Sequence, residues 1–251
     1  ICFQSHSPPA RPRQGRSSAR KGLLIGLTKK EREELRRVHT AELYSYMREI
    51  VPAGIAVGID EVGRGALAGP LMVACVALPD DPQVIGLDDS KKLSPKRRAE
   101  LAEQIDEVAL GVGIARVEPD EIDACGMAAS LRVAMKRALT ACEHDLAKRG
   151  YVEDIAGVLI DGNPVHVHER EICVVKGDGK LACIAAASIV AKVTRDNLMV
   201  DLANEHPAYG FESNKGYGSA GHIAALREHG ASPVHRQSFL GNILAEQQSL
   251  L

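Results

Sequence analysis

Three apolar runs in this chain end in acid. Ile55 to Ile59 leads into Asp60-Glu61, Ile155 to Ile160 into Asp161, and Ile172 to Val175 into Lys176-Gly177-Asp178. Short apolar runs of this kind form buried strands, and open α/β sheets place their sites beyond strand ends. Four carboxylates meeting there repel one another unless cations neutralise them. All-oxygen donors without a Cys/His cluster favour Mg2+ or Mn2+ over zinc. Two such ions a few ångströms apart can activate a water and stabilise the leaving oxygen of a phosphodiester. Each acid also has a plainer use. Asp161 in Asp-Gly-Asn-Pro suits a turn, Asp178 suits a helix cap, and Glu61 could face solvent. Spacing alone leaves both readings open.

Gly63-Arg64-Gly65 follows the first pair of acids. Glycines free backbone N–H groups to form a nest for an anion or hydroxyl, and Arg64 can fork onto phosphate. A tight turn is the plainer alternative. Beyond Asp178, Ser188, Lys192 and Arg195 fall at i, i+4 and i+7 of an expected helix. They share one face, which suits either a phosphate backbone or simple solvation.

These residues need a scaffold. Thr28-Lys29-Lys30-Glu31 is a capping box, opening a helix to about Ile50 with Leu35, Val38, Leu43, Met47 and Ile50 as its apolar stripe. Strands are expected at Ile55–Ile59, Leu71–Leu78, Val112–Val117, Ile155–Ile160 and Ile172–Val175. Helices are expected from Pro95 to about Val108, from Met127 to Arg149, from Leu181 to about Glu205 and from Gly221 to His229. Alternating strands and helices predict an α/β class with a mixed or parallel sheet.

Composition narrows the partners. Formal net charge is −2, but residues 1–22 hold five basic residues and no acid; without them 26 basic residues face 33 acidic ones. Such a body binds nucleic acid through a local groove if at all. With no Trp and 3% aromatics, a multi-base stacking platform is excluded. No apolar run approaches the ~18 residues that span a bilayer. Six scattered cysteines without a CxxC pair argue against zinc and fit a reducing cytoplasm, with Cys75, Cys173 and Cys183 in apolar runs that read as core. Residues 1–22 read as a disordered basic tail, an upstream extension rather than a transit peptide.

The motifs together resemble bacterial ribonuclease HII, of the type 2 ribonuclease H family. The resemblance rests on Gly58-Ile59-Asp60-Glu61-Val62-Gly63-Arg64-Gly65 with Gly69-Pro70, Asp89-Ser90-Lys91-Lys92-Leu93, Asp161-Gly162-Asn163, and Val175-Lys176-Gly177-Asp178. Ala186-Ala187-Ser188 through Lys192-Val193-Thr194-Arg195-Asp196, Gly216-Tyr217-Gly218 with His222, and His235-Arg236-Gln237-Ser238-Phe239 complete it, over about residues 54 to 243. Gly-Arg-Gly separates the chain from ribonuclease HIII relatives, which resemble Gly-Thr-Gly there.

The resemblance implies a ribonuclease H-like fold, a mixed central sheet flanked by helices with a C-terminal helical part. It implies hydrolysis of RNA in RNA–DNA hybrids and incision 5′ of single ribonucleotides in duplex DNA, with 3′-hydroxyl and 5′-phosphate ends. It places two divalent ions, Mg2+ or Mn2+, on Asp60, Glu61, Asp161 and Asp178. Gly63, Arg64 and Gly65 would read the ribose 2′-hydroxyl, the group that tells RNA from DNA. Tyr217 would stack on the next sugar, and Lys91, Ser188 and Lys192 would contact the substrate backbone. A monomer without membrane attachment is expected, with residues 23–53 as a helical extension and 54–251 as the catalytic domain. Gly179 and Ser219 depart mildly from the family pattern, and residues 165–171 read as a variable loop, with His166 and His168 as lesser metal candidates. The competing functions are a resolvase-like two-metal nuclease and a non-catalytic nucleic-acid-binding module.

Overall fold

The structure is a computed structural model that describes residues 27–241 and 243. The expected basic tail lies outside the described residues. The first described element, α1 (Lys29–Ile50), starts where its capping box predicts: the Thr28 side chain accepts the Glu31 N–H, and Glu31 reaches back to Thr28.

Five strands form one sheet: β1 (Ile55–Val62), β2 (Leu71–Ala77), β3 (Gly111–Val117), β4 (Ile155–Asp161) and β5 (Glu171–Val174), in the order β3-β2-β1-β4-β5. β1 pairs antiparallel with β2 and parallel with β4, so the sheet is mixed. Around it lie α2 (Pro95–Val108), α3 (Pro119–Cys125), α4 (Met127–Lys148), α5 (Ala182–Glu205), α6 (Phe211–Asn214) and α7 (Ala220–His229). The α3 helix falls outside the sequence expectation, although Pro119 in its first turn and the Glu118/Glu121 pair mark its start.

Strand alternation divides the core. Ile55, Val57 and Ile59 join α4 on one side of the sheet, while Ala56, Ala74, Val76 and Leu159 join α1, α2 and α5 on the other. From Ala182 to Ala191 every residue of α5 is buried, as befits a helix apolar all round. It lies so close to β1 that a β-carbon at Gly58 would collide with the Cys183 carbonyl.

The stripe expected on α1 needs correction. Leu43, Met47 and the unanticipated Thr40 and Tyr44 are buried, whereas Leu35 and Val38 are each 48% exposed. Only the C-terminal half of α1 reaches the core. There Tyr44 and Thr40 accept the Val84 and Gly86 N–H groups, so the hydroxyls satisfy a loop as well as a packing surface. Among the described residues no helix is long and apolar enough to cross a membrane.

Candidate active site

Asp60 and Glu61 lie within β1, paired across from Ala74 and Val73. The β1–β4 ladder runs to Ile59 opposite Ile160, so the next residue on each parallel strand is Asp60 and Asp161. Asp178 comes from a single 3-10 turn, Gly177–Gly179, rather than from the end of β5 itself. Lys176, with φ 56°, bends the chain into that turn, and the Gly177 N–H donates to Asp161 Oδ1 at 2.7 Å. Asp178 therefore stands just before α5, whose N-terminal dipole end favours a carboxylate.

The electrostatics are those of crowded acids. Burial, with lesser help from the Glu61 and Asp161 charges, pushes Asp60 up to about 8, against hydrogen bonds from Ser188 and the Glu61 N–H. Burial also raises Glu61 and Asp178, and Asp161 adds to both. The nearby cations are few. Arg64 Nη1 stands 3.8 Å from Glu61, and Lys91 Nζ 4.0 Å from Asp178. Burial lowers Lys91, but Asp178, Asp89, Asp60 and Asp161 together outweigh it and raise its affinity for a proton.

As the side chains are turned here, no three His, Cys, Asp or Glu groups among the described residues converge closely enough to hold an ion. Asp60 and Asp161 each accept an internal N–H instead. The donor set nonetheless fits a hard divalent cation: it is four carboxylates, and burial followed by neighbouring acids holds Asp60, Glu61 and Asp178 above the ordinary carboxylate range. His166 and His168 belong to a loop stitched by Glu171, whose carboxylate accepts the Val165, His166 and Val167 N–H groups. His168 Nδ1 is engaged by the Arg170 N–H.

The two glycines of Gly63-Arg64-Gly65 do different things. Gly63 has φ +88°, and a β-carbon there would strike the Arg195 guanidinium. Its N–H donates to the Tyr217 hydroxyl at 3.2 Å, and its carbonyl accepts the Ala66 N–H, closing a turn. Gly65 lies outside the left-handed region, and a β-carbon there would meet nothing within 4 Å. The Arg64 and Gly65 N–H groups have no acceptor among the described residues, which leaves two backbone donors at an open surface.

The face expected to meet a phosphate backbone is mostly internal. Ser188 is buried, bonds Asp60 and lies 2.9 Å from the Ser90 hydroxyl, so it joins the acids to the Lys91 turn. Lys192 donates to Asp196 at 2.7 Å. Arg195 is wholly buried and donates to three main-chain carbonyls, which corrects its reading as a surface cation.

A buried chain of hydrogen bonds supports Tyr217. Its carbonyl can only accept, so His222 Nδ1 carries the hydrogen at 2.9 Å. His222 Nε2 then accepts from His235 Nε2–H at 3.0 Å. His235 Nδ1 is left to accept the Ser232 N–H at 3.0 Å and hydroxyl at 2.8 Å. Neither Arg236 nor this histidine pair was identifiable from local spacing. Their only sequence signal is membership of the motif residues quoted above.

The family model described as Ribonuclease HII matches residues 57–241. A protein named Ribonuclease HII from Dechloromonas aromatica is 46% identical over 203 residues, 80% of this chain and 98% of that protein. The ribonuclease H2 structure from Pyrococcus horikoshii aligns with a TM-score of 0.63 at 23% identity, over 78% of this chain and 99% of that one. A Bst-RNase HIII structure in complex with Mn2+ aligns with a TM-score of 0.62 at 17% identity, over 85% and 74%. These likenesses place the mixed sheet and its helices among ribonuclease H-like α/β folds.

Proposed function

The chain belongs to the ribonuclease HII family, and from that premise we propose how this ribonuclease H chooses and cuts its substrate. It hydrolyses the RNA strand of RNA–DNA hybrids and incises duplex DNA 5′ of a single embedded ribonucleotide, leaving 3′-hydroxyl and 5′-phosphate ends. It works as a monomer in a reducing compartment, consistent with the free thiols of the described cysteines.

The supporting observation is the pair of open N–H groups at Arg64 and Gly65, in the turn that follows the strand carrying Asp60 and Glu61 into the site. A ribose 2′-hydroxyl can accept from such donors, and a deoxyribose offers them nothing. Tyr217, pinned to the Gly63 N–H and 37% exposed, supplies a surface for the neighbouring sugar. Arg64 and Lys91 reach toward the phosphates, with Lys192 beside them once its Asp196 contact opens. Ser188 orients Asp60.

Asp60, Glu61, Asp161 and Asp178 would hold two divalent ions, Mg2+ or Mn2+. When bound, such ions make a water nucleophilic at neutral pH and offset charge on the phosphate. The Mn2+ in the Bst-RNase HIII complex supports this choice. The acids' own partners in the chain are Arg64, Lys91, Ser188 and the internal N–H donors.

A DNA duplex with one internal ribonucleotide, incubated with Mg2+, with Mn2+ and with EDTA, tests the proposal. A metal-dependent nick 5′ of the ribonucleotide beside an intact all-DNA control is expected. Cleavage of the all-DNA control would point to a resolvase-like nuclease. Binding without product in every arm would point to a non-catalytic nucleic-acid-binding module.

A further inference from the structure

Two arginines are wholly buried, and neither has a carboxylate within ion-pair distance among the described residues. Arg195 donates through Nε to the Pro70 carbonyl at 3.0 Å, through Nη1 to Lys215 at 2.8 Å and through Nη2 to Ala68 at 3.1 Å. Arg236 donates through Nε and Nη2 to the Gly69 carbonyl, at 3.0 and 2.8 Å, and through Nη1 to the Arg64 carbonyl at 3.1 Å. An unpaired buried cation is expensive, yet all these donors are aimed at the segment from Arg64 to Pro70 and the turn that leads to Tyr217. Burial, and then the Arg195 charge, draw Arg236 down to about 10, so it stays charged at neutral pH.

The Arg64 carbonyl contact has a geometric consequence. In a trans peptide the C=O and N–H point in opposite directions. Holding the Arg64 oxygen inward therefore turns the Gly65 N–H outward, where it has no acceptor and open space beside it. We propose that Arg236 is a positioning residue for ribose recognition: its guanidinium fixes the Arg64–Gly65 peptide so that the Gly65 N–H meets the 2′-hydroxyl. Arg195 ties the same segment to the Tyr217 loop through the Lys215 carbonyl, and its guanidinium lies 5.5 Å from the Tyr217 ring centre. A lysine could keep the charge but not the fork that serves Gly69 and Arg64 together. This inference rests on the role proposed above for Gly63 to Gly65.

The test is the ratio of affinities for two duplexes, one with a single ribonucleotide and one all-DNA, measured in EDTA so that cleavage plays no part. Wild type must first favour the ribonucleotide duplex; equal binding would defeat the ribonucleotide reading itself, before any variant is made. Given that preference, Arg236→Lys is expected to reduce the ratio by about tenfold, the worth of one hydrogen bond, with all-DNA affinity unchanged. A purely structural role would lower both affinities together, and that result, or a ratio unchanged in a folded variant, overturns the proposal. Hydrogen exchange on the wild type needs no variant. The Gly65 amide should exchange freely in the unbound protein and gain protection with the ribonucleotide duplex but not the all-DNA one. Protection already present in the unbound protein would show that the peptide is not turned outward.

Discussion

The Tyr217 hydroxyl accepts the Gly63 N–H at 3.2 Å, joining two motifs that lie 154 residues apart in the chain. The contact holds the aromatic ring against the turn whose next two N–H groups are open. Tyr217→Phe keeps the ring and removes the acceptor. It should lower kcat/KM on a single-ribonucleotide duplex by about tenfold, read in steady-state cleavage. An unchanged value would remove the hydroxyl from substrate positioning.

Gly63 and Gly65 should respond differently to the same substitution. Gly63→Ala meets Arg195 and forces a side chain into positive φ, so a loss of about 1–3 kcal/mol in denaturant unfolding is expected. Gly65→Ala has room and should melt like wild type, while its methyl group obstructs the open approach and cuts ribonucleotide cleavage. Equal stability losses in the two variants would contradict the division.

Removing the metals has a definite sign at Asp60. Its folded value of about 8 lies above the ordinary 3.8, so its contribution to stability is present below pH 3.8 and is lost as pH rises toward 8. In EDTA at neutral pH, Asp60→Asn should therefore raise Tm by a few degrees, corresponding to ~1 kcal/mol, while abolishing cleavage. Added Mg2+ or Mn2+ should raise the wild-type Tm and move the variant much less. A variant less stable than wild type in EDTA would sink this account.

The histidine pair sets a second pH dependence, of opposite sign. Burial, and then the His222 charge, hold His235 down at about 4, against an ordinary 6.5. A second proton on His235 would sit on Nδ1 and face the Ser232 N–H 3.0 Å away, and one on His222 would bring two N–H groups together at the 3.0 Å contact between the rings. The unfolded chain takes up that proton below pH 6.5 and the folded chain only near 4, so stability present above 6.5 is lost through this window as pH falls. Tm should drop between about pH 7 and pH 5, and more shallowly in His235→Gln. Parallel curves for the two proteins would exclude His235 as the source.

The first helix offers a simple stability contrast. Met47 is fully buried, and Met47→Ala should cost about 2–5 kcal/mol in denaturant unfolding. Leu35→Ala, at an exposed position on the same helix, should stay within about 0.5 kcal/mol. Similar losses at both sites would mean that the whole helix packs on the core.

What was legible in the sequence follows from range. The capping box at Thr28, the strand runs and the acids at their ends are local patterns, and each sits in the structure within a few residues of its expected place. Spacing placed Ser188, Lys192 and Arg195 on one face correctly, but which way that face points depends on what packs against it. The α5 helix packs against β1 and β2 and its Arg195 against the turn at Gly63, so that arginine donates to main-chain carbonyls rather than to solvent. Arg236 and the His222–His235 contact are likewise products of tertiary approach, and no periodicity encodes them. On α1 the apolar pattern extends further than the surface it covers, so Leu35 and Val38 continue the stripe yet face solvent.

The parallel pairing of β1 with β4 bears on how activity is acquired. β1 and β2 are near neighbours in sequence, whereas β3 and three helices lie between β2 and β4 in the chain. Closing so long a loop is slow. Asp60 and Asp161 are therefore strangers in a partly folded chain, and a nascent or refolding molecule should carry no half-competent nuclease. Return of cleavage after dilution from denaturant would time the closure of that one strand pair.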